Sequence, residues 1–372
     1  MSGAGDFEPA FAAALTLAEA SPSSHNSQPW ALAVGAPAVL GLDGPAGSRA
    51  LVVCLDEDRK LRTLAAHTLE MNLSCGMYLQ ALLLALRQQG FSGRLAWRIG
   101  DAPRPKFGAD LPATWTPLAV AIVAPGKPDD DVTDRVAALP ARRTNRAPYA
   151  EGALAAADVA PLCAGEVAAE GPVGEPLAVT IFDQPGDVKA LGRFVARHAA
   201  ADFAHAAAWR ETHAYIRHDP ANAVDGFPLT QLFGPLSWAR TWFFRIALHP
   251  VTMGVLKWFG YPRIIAGEFG ALVAGSPASV AFALTDPKAG DADQLLAGAR
   301  LLDAWLRLTA AGFAMHPVSV VLQHDDIRTK LQSEFNLAGR VVFFARLGRP
   351  VAAFPPTPRR GAANARVARL GG

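Results

Sequence analysis

Two stretches of this chain carry polar and charged side chains at spacings suited to chemistry. The first is Ser21-Pro22-Ser23-Ser24-His25-Asn26-Ser27-Gln28-Pro29-Trp30. It offers hydroxyls, amide side chains and backbone N–H groups beside one large aromatic. That inventory matches the alternating donors and acceptors along the polar edge of a flat heterocycle. A plain helix-to-strand connection, with serine caps and Trp30 in the core, has the same composition. The second is Arg142-Arg143-Thr144-Asn145-Arg146-Ala147-Pro148-Tyr149, ahead of a helix expected from about Ala153. Guanidinium forks and the open N–H groups of a helix N-terminus both favour phosphate. A solvated charge cluster in a linker would look alike.

The elements that must position these stretches repeat along the chain. An Ala-rich apolar segment from Phe7 to Ala20 reads as a helix stopped by Pro22, and Gln28 to Val34 restarts the chain as a strand. Gly76 to Phe91 is an apolar helix ending at Gly90, and Gly298 to Phe313 has the same form, ending at Gly312. A strand follows each, over 118–124 and 341–347. Gly90 and Gly312 lie 222 residues apart, and so do Gly126 and Gly348. Helix, stop and strand at one offset make a repeat. More loosely, Gln28-Pro29-Trp30 parallels Glu175-Pro176-Leu177, so each half is expected to run helix, loop, strand, strand, helix, strand. Residues 126–140, rich in Asp, Pro and Lys, read as the linker between halves. About 200–267 has no counterpart in the first half.

Composition excludes several classes. Half of the 372 residues are hydrophobic (51%) and 18% are charged, which is globular. A net charge of +2 without basic runs gives no case for nucleic acid. Cys54, Cys75 and Cys163 form neither a disulfide framework nor a zinc pattern, so a reducing cytoplasm is expected. Met1 to Asp6 shows no export signal. The uncharged apolar run 269–285 is shorter than the roughly 20 apolar residues of a membrane span. Metalloprotease, serine hydrolase, Walker A and Rossmann motifs do not occur.

Ser-Pro-Ser-Ser-x-Asn-Ser-Gln-Pro-Trp, Ser21 to Trp30, resembles the flavin-edge loop of the FMN-dependent nitroreductase family. It departs at His25, where a small or hydroxylated residue is more usual. Arg142 to Tyr149 is similar to the segment that opens nitroreductase domains and holds the FMN phosphate. Family members are usually homodimers whose two flavin sites straddle the interface, the loop from one subunit and the arginines from the other. Here the first half has the loop and no arginine segment. The second half has the arginines, and reads Pro161-Leu-Cys-Ala-Gly-Glu where the loop belongs. The resemblance therefore implies a fused pseudo-dimer with one working site and one lost, as in the duplicated, dormancy-associated nitroreductase homologues.

The expected fold is α+β: two tandem nitroreductase-like domains, 1–140 and 141–372, each a mixed sheet flanked by helices. The insert at about 200–267, with its many aromatics, is expected to be a helical lid. A greasy docking face for a partner or membrane surface, and ordinary core packing, stand as alternatives. By resemblance, Ser23, Ser24, Asn26 and Gln28 address the isoalloxazine edge and ribityl chain. Arg142, Arg143 and Arg146 hold phosphate, with Thr144 capping a helix or touching phosphate. Backbone at Pro317, Val318 and Ser319 lies near flavin N5, while His316 also reads as a plain strand-edge histidine. Arg359 and Arg360 close over phosphate or form a basic tail. The implied activity is transfer of electrons from NAD(P)H through FMN to an electron-poor small molecule, by ping-pong kinetics, with no catalytic side chain and no metal. A flavin-sequestering or redox-sensing protein is the alternative, followed by an FMN enzyme of another outcome. A monomer is expected, with a homodimer open.

Overall fold

Residues 6–171, 177–219, 221–286 and 288–371 are described by the computed structural model. Asp6 caps α1 (Phe7–Ala18) by accepting from the Glu8 amide at 3.3 Å. The chain continues through β1 (Trp30–Gly35), β2 (Arg49–Asp56), α2 (Ala66–Gln88), β3 (Phe91–Arg98) and β4 (Trp115–Pro125). β3 alternates buried and open residues, as a half-covered strand does, whereas β2 and β4 are buried nearly throughout. Pro117 in β4 has no N–H to donate, and the β2–β4 register slips beside it, between Val53 and Cys54.

Next come α3 (Thr133–Ala141), α4 (Ala156–Cys163), β5 (Ala178–Phe182) and α5 (Pro185–His198). The insert forms α6 (Ala200–Ala204), α7 (Ala206–His213), β6 (Ile216–Arg217), β7 (Phe227–Pro228), α8 (Leu229–Phe233), α9 (Trp238–Ala247) and α10 (Pro250–Leu256). It then joins α11 (Tyr261–Ala274). The chain ends with β8 (Ala278–Leu284), α12 (Asp291–Ala310), β9 (Ala314–Pro317), α13 (Asp325–Glu334), β10 (Arg340–Gly348) and β11 (Val367–Arg369).

Three sequence expectations change here. The segment read as a linker contains α3, whose C-cap is Arg142. The arginines therefore follow one helix and do not lead directly into another, because α4 begins only at Ala156. Each long helix is followed by two strands, not one. Glu175 and Pro176, expected at the start of a strand, lie outside the described residues, as do residues 1–5.

One sheet has the order β11-β1-β2-β4-β3, the other β5-β8-β10-β9. All pairings in the two sheets are antiparallel except β1 with β11, where the C-terminal strand returns to the first sheet. Between the sheets α2 crosses α12. A Cβ on Gly76 would fall 1.8 Å from the Leu295 carbonyl oxygen, and one on Gly298 2.1 Å from the Leu73 oxygen. Only glycine permits so close a crossing. Asn72 Nδ2 donates to Gln294 Oε1 at 3.0 Å beside it. Leu73 and Leu295, Gly76 and Gly298, and Asn72 and Gln294 are each 222 residues apart. The largest apolar core runs through both halves, from Phe7 to Leu347. α2 is long and apolar enough to cross a membrane, but 94% of its most apolar window is buried inside this core.

Candidate active site

A cavity of about 340 Å³ lies where the two halves and the insert meet, within the size range of small-molecule sites. Ser23, Ser24 and Asn26 line it from the first half, and Arg142, Thr144, Arg146, Pro317, Ser319 and Arg359 from the second. The inner face of the insert closes it with apolar side chains that include Trp209, Phe227, Phe233 and Tyr261. Gln28, Arg143, Val318 and Arg360 do not line it.

The loop before β1 is held in a demanding backbone conformation. His25, Asn26 and Gln28 have φ of 51°, 51° and 50°, in the left-handed region that side chains normally avoid. The bonds that hold it there reach across the whole chain. Ser23 Oγ accepts from the Gln28 amide at 2.9 Å. Asn26 Nδ2 donates to the Gly226 and Pro358 carbonyls, both at 2.8 Å, and its Oδ1 accepts from Arg359. Gln28 Nε2 donates to Val224 O at 2.9 Å, while its Oε1 accepts from the Arg360 amide at 3.1 Å. The side chains of Asn26 and Gln28 thus clasp loop, insert and C-terminal segment together. Gly226, at φ 63°, makes this possible, since a Cβ there would lie 2.2 Å from Tyr215 O. Asp225 beside it is held between Arg59 and Arg217, each at 2.5 Å.

One part of the cavity is rich in buried cations. Arg142 is fully enclosed, its guanidinium 4.5 Å above the Trp305 ring. Among the described residues its Nε and Nη1 have no hydrogen-bond partner. Burial holds its pKa well below the usual arginine value, and Arg359 and Arg143 repel it further. Arg146 donates to Gln231 O at 3.0 Å, and burial brings its pKa down to about 10. Arg359 is likewise lowered to about 10, mainly by burial. A buried guanidinium is costly unless its charge is compensated; all three line the cavity, and of these Arg359 alone has a carboxylate, Glu19, acting on it. Arg143 instead turns to the Pro140 and Arg142 carbonyls, at 2.5 and 2.8 Å. Arg360 packs on Trp30 and lies 3.8 Å from Glu19.

The rest of the wall holds acids that motif reading did not single out, and the imidazoles of His25 and His316. Glu70, on α2, accepts from the Ser24 hydroxyl. Burial raises its pKa, so it tends to keep its proton. With its amide turned to satisfy both neighbours, Gln323 donates to Asp202 at 2.8 and 3.1 Å. Its oxygen then faces Glu70, which fits a protonated carboxyl. A lone acid inside the apolar run of α2 was the available signal. His25, stacked on Tyr215, is pushed down to about 4 by burial and then by His67. Burial likewise keeps His316 neutral, with Arg146 and Arg346 adding to the effect.

Near His316 the expected backbone donors narrow to one. Pro317 has no N–H, and the Val318 amide already donates to Phe344 O at 2.8 Å. Ser319 opens a short 3₁₀ turn, whose first N–H groups have no partner within the turn. No cluster of three His, Cys, Asp or Glu side chains suited to a metal occurs among the described residues.

No protein-family model matches this chain. A solved structure, the FMN-dependent nitroreductase NfnB from Mycobacterium smegmatis in complex with NADPH, is similar over 60% of this chain and 90% of its own. Its identity of 13% and TM-score of 0.33 are too low to carry weight. Among curated proteins, a probable NAD(P)H nitroreductase, PigM, of a Serratia species is 32% identical over 360 residues. The match covers 95% of this chain and 92% of PigM, and on that near-complete correspondence the chain belongs to the NAD(P)H nitroreductase family.

Proposed function

We propose that the chain is an FMN-dependent oxidoreductase that takes electrons from NAD(P)H and reduces an electron-poor small molecule. The observation that carries this is the grouping of Arg142, Arg146 and Arg359 in a cavity of small-molecule size. The unpartnered atoms of Arg142 fit a phosphate, so the residues present suit FMN. Arg142, Arg146 and Arg359 would hold its phosphate, and Ser23, Ser24 and Thr144 would bond its polar groups. The Ser319 amide is the donor left for the ring system, Val318 being paired and Arg143 and Arg360 lying outside the cavity wall. Asn26 and Gln28 would act by fixing the loop.

When bound, FMN would supply the two-electron chemistry linking NAD(P)H to the acceptor, in keeping with ping-pong kinetics. The chain's own contribution is binding, orientation and exclusion of water by the aromatic inner face of the insert. His25 and His316, with pKa lowered by burial, add no charge to the cavity, and burial raises the Glu70 pKa beside Ser24. Similarity to PigM, a probable NAD(P)H nitroreductase, favours turnover over flavin storage.

The same proposal includes a duplication, with halves 1–140 and 141–372 paired inside one chain. The matching sheet orders, the common 222-residue offset and the reciprocal glycine crossing support it. In an isologous contact residue i meets j while j meets i, and Gly76 at Leu295 with Gly298 at Leu73 has that form. The cavity draws on both halves, so a monomer would carry one composite site. At the corresponding place in the other half, Glu166 N donates to Asp303 Oδ2 at 3.1 Å and Gln80 Nε2 to Glu166 O at 3.0 Å. That loop lies flat on α12 and α2, in keeping with a lost site. Three buried free cysteines accord with a reducing cytoplasm.

The test is anaerobic addition of NADPH, then NADH, to protein loaded with FMN. Bleaching of the visible flavin band, reversed by a nitroaromatic acceptor, is the expected result. Bound flavin that neither nucleotide reduces would remove the enzyme from this proposal.

A further inference from the structure

The insert also carries large apolar side chains on its outside. Trp238 and Trp258 are 77% and 82% exposed, and Trp242, Phe243 and Phe259 stand open beside them. Monomeric proteins rarely display so many large aromatics together without using them. The same segment carries Arg240, Lys257 and Arg263, all exposed, with Arg245 half-buried. Lys257 sits 5.5 Å above Trp258, and Arg245 5.5 Å from Trp242. From Gly226 to Gly267 the sequence contains no Asp or Glu.

We infer that this face, formed by α9, α10 and the start of α11, docks the protein on the surface of a bilayer containing anionic lipid. Exposed indoles settle at headgroup depth, and cations beside them pair with lipid phosphates. A second copy of the chain is the poorer occupant. A two-fold contact would set this patch, with Arg240, Lys257 and Arg263, against the same cationic patch of the copy, with no acid from 226–267 to pair them. Leu248, Tyr261 and Ile265, on the other side of these elements, line the cavity. Docking would therefore bring the cavity wall close to the lipid, a short path for apolar molecules dissolved there. The inference stands whether or not FMN fills the cavity.

The experiment is co-sedimentation of the purified full chain with phosphatidylcholine vesicles, with and without phosphatidylglycerol. Trp238→Ser/Trp258→Ser and Arg240→Glu/Lys257→Glu are compared with the unmodified protein, and melting temperatures check their folding. The unmodified chain should pellet with the anionic vesicles and be released by salt. Each double variant should bind at least roughly tenfold more weakly. Should the variants misfold, quenching of the unmodified chain's tryptophans by brominated anionic lipid decides the question. No binding to anionic vesicles overturns the inference, whether the chain is then monomeric or dimeric by sedimentation velocity. Equal binding to both vesicle types, or variants that bind as well as the parent, overturns it too.

Discussion

Replacing Arg142 with Met should act in opposite directions on the empty and the flavin-loaded protein. Met keeps an unbranched stem over Trp305 and removes a guanidinium whose Nε and Nη1 have no partner among the described residues. Exchanging a buried charge for an apolar side chain of similar length typically gains about 1–4 kcal/mol. Flavin-free protein should therefore melt higher, by roughly 2 °C per kcal/mol for a chain of this size. Leaving the other partner of a buried ion pair uncompensated costs about 3–5 kcal/mol, so FMN should bind about 10²–10⁴-fold more weakly. Differential scanning fluorimetry of apoprotein and titration of FMN quenching provide the two readouts. Arg143→Ala serves as a control and should change both little, because that side chain turns to the Pro140 and Arg142 carbonyls. An apoprotein that melts lower while retaining flavin at full affinity would refute the assignment of Arg142 to an anion.

Acidification probes His25. Its pKa falls from 6.5 in a free chain to about 4 in the fold, so only the unfolded chain binds a proton between those values. Stability should fall as pH drops through that window, by about 3 kcal/mol in all. His25→Asn, which tolerates positive φ, should flatten the decline in urea unfolding curves; an unchanged slope would count against a buried neutral imidazole. Glu70 has the opposite sign, because burial raises its pKa and the fold holds the extra proton. Stability should decline as pH rises above the ordinary carboxyl value, and Glu70→Gln should remove that part of the decline. At the crossing of α2 and α12, Gly76→Ala places a Cβ 1.8 Å from Leu295 O. Backbone would have to move, at a cost of about 2–4 kcal/mol by denaturation.

The long buried elements were legible from apolar runs that are nearly continuous in α2, β4 and β10, and in α12 from its match to α2 at the glycines. Equal spacing of Gly76 and Gly298 from their helix ends pointed to a repeat before any contact was known. Residue types at Ser23, Ser24, Arg142 and Arg146 left plain structural readings open, and it was the family resemblance that suggested one site; all four line the same cavity. Partner choice was not legible, because the groups that bind Asn26 and Gln28 come from Gly226, Val224, Pro358 and Arg360, about 200 and 330 residues away. β9 and β11 are four and three residues long, too short for a pattern of their own, and exist through pairing with β10 and β1. β3 did carry a signal, the alternation from Phe91 to Arg98. Glu70 stood out only as one acid in an apolar helix, and its raised pKa depends on burial that composition does not reveal.

The most direct test is the amount of FMN released per chain from freshly purified protein saturated with the cofactor. One composite cavity and one lost site predict about one FMN per chain, with Arg142→Met reducing it. Two per chain would mean that the loop over Gly165 also binds flavin and that the single-site argument is wrong. Protein that takes up none would leave the buried arginines without their anion and contradict the central claim.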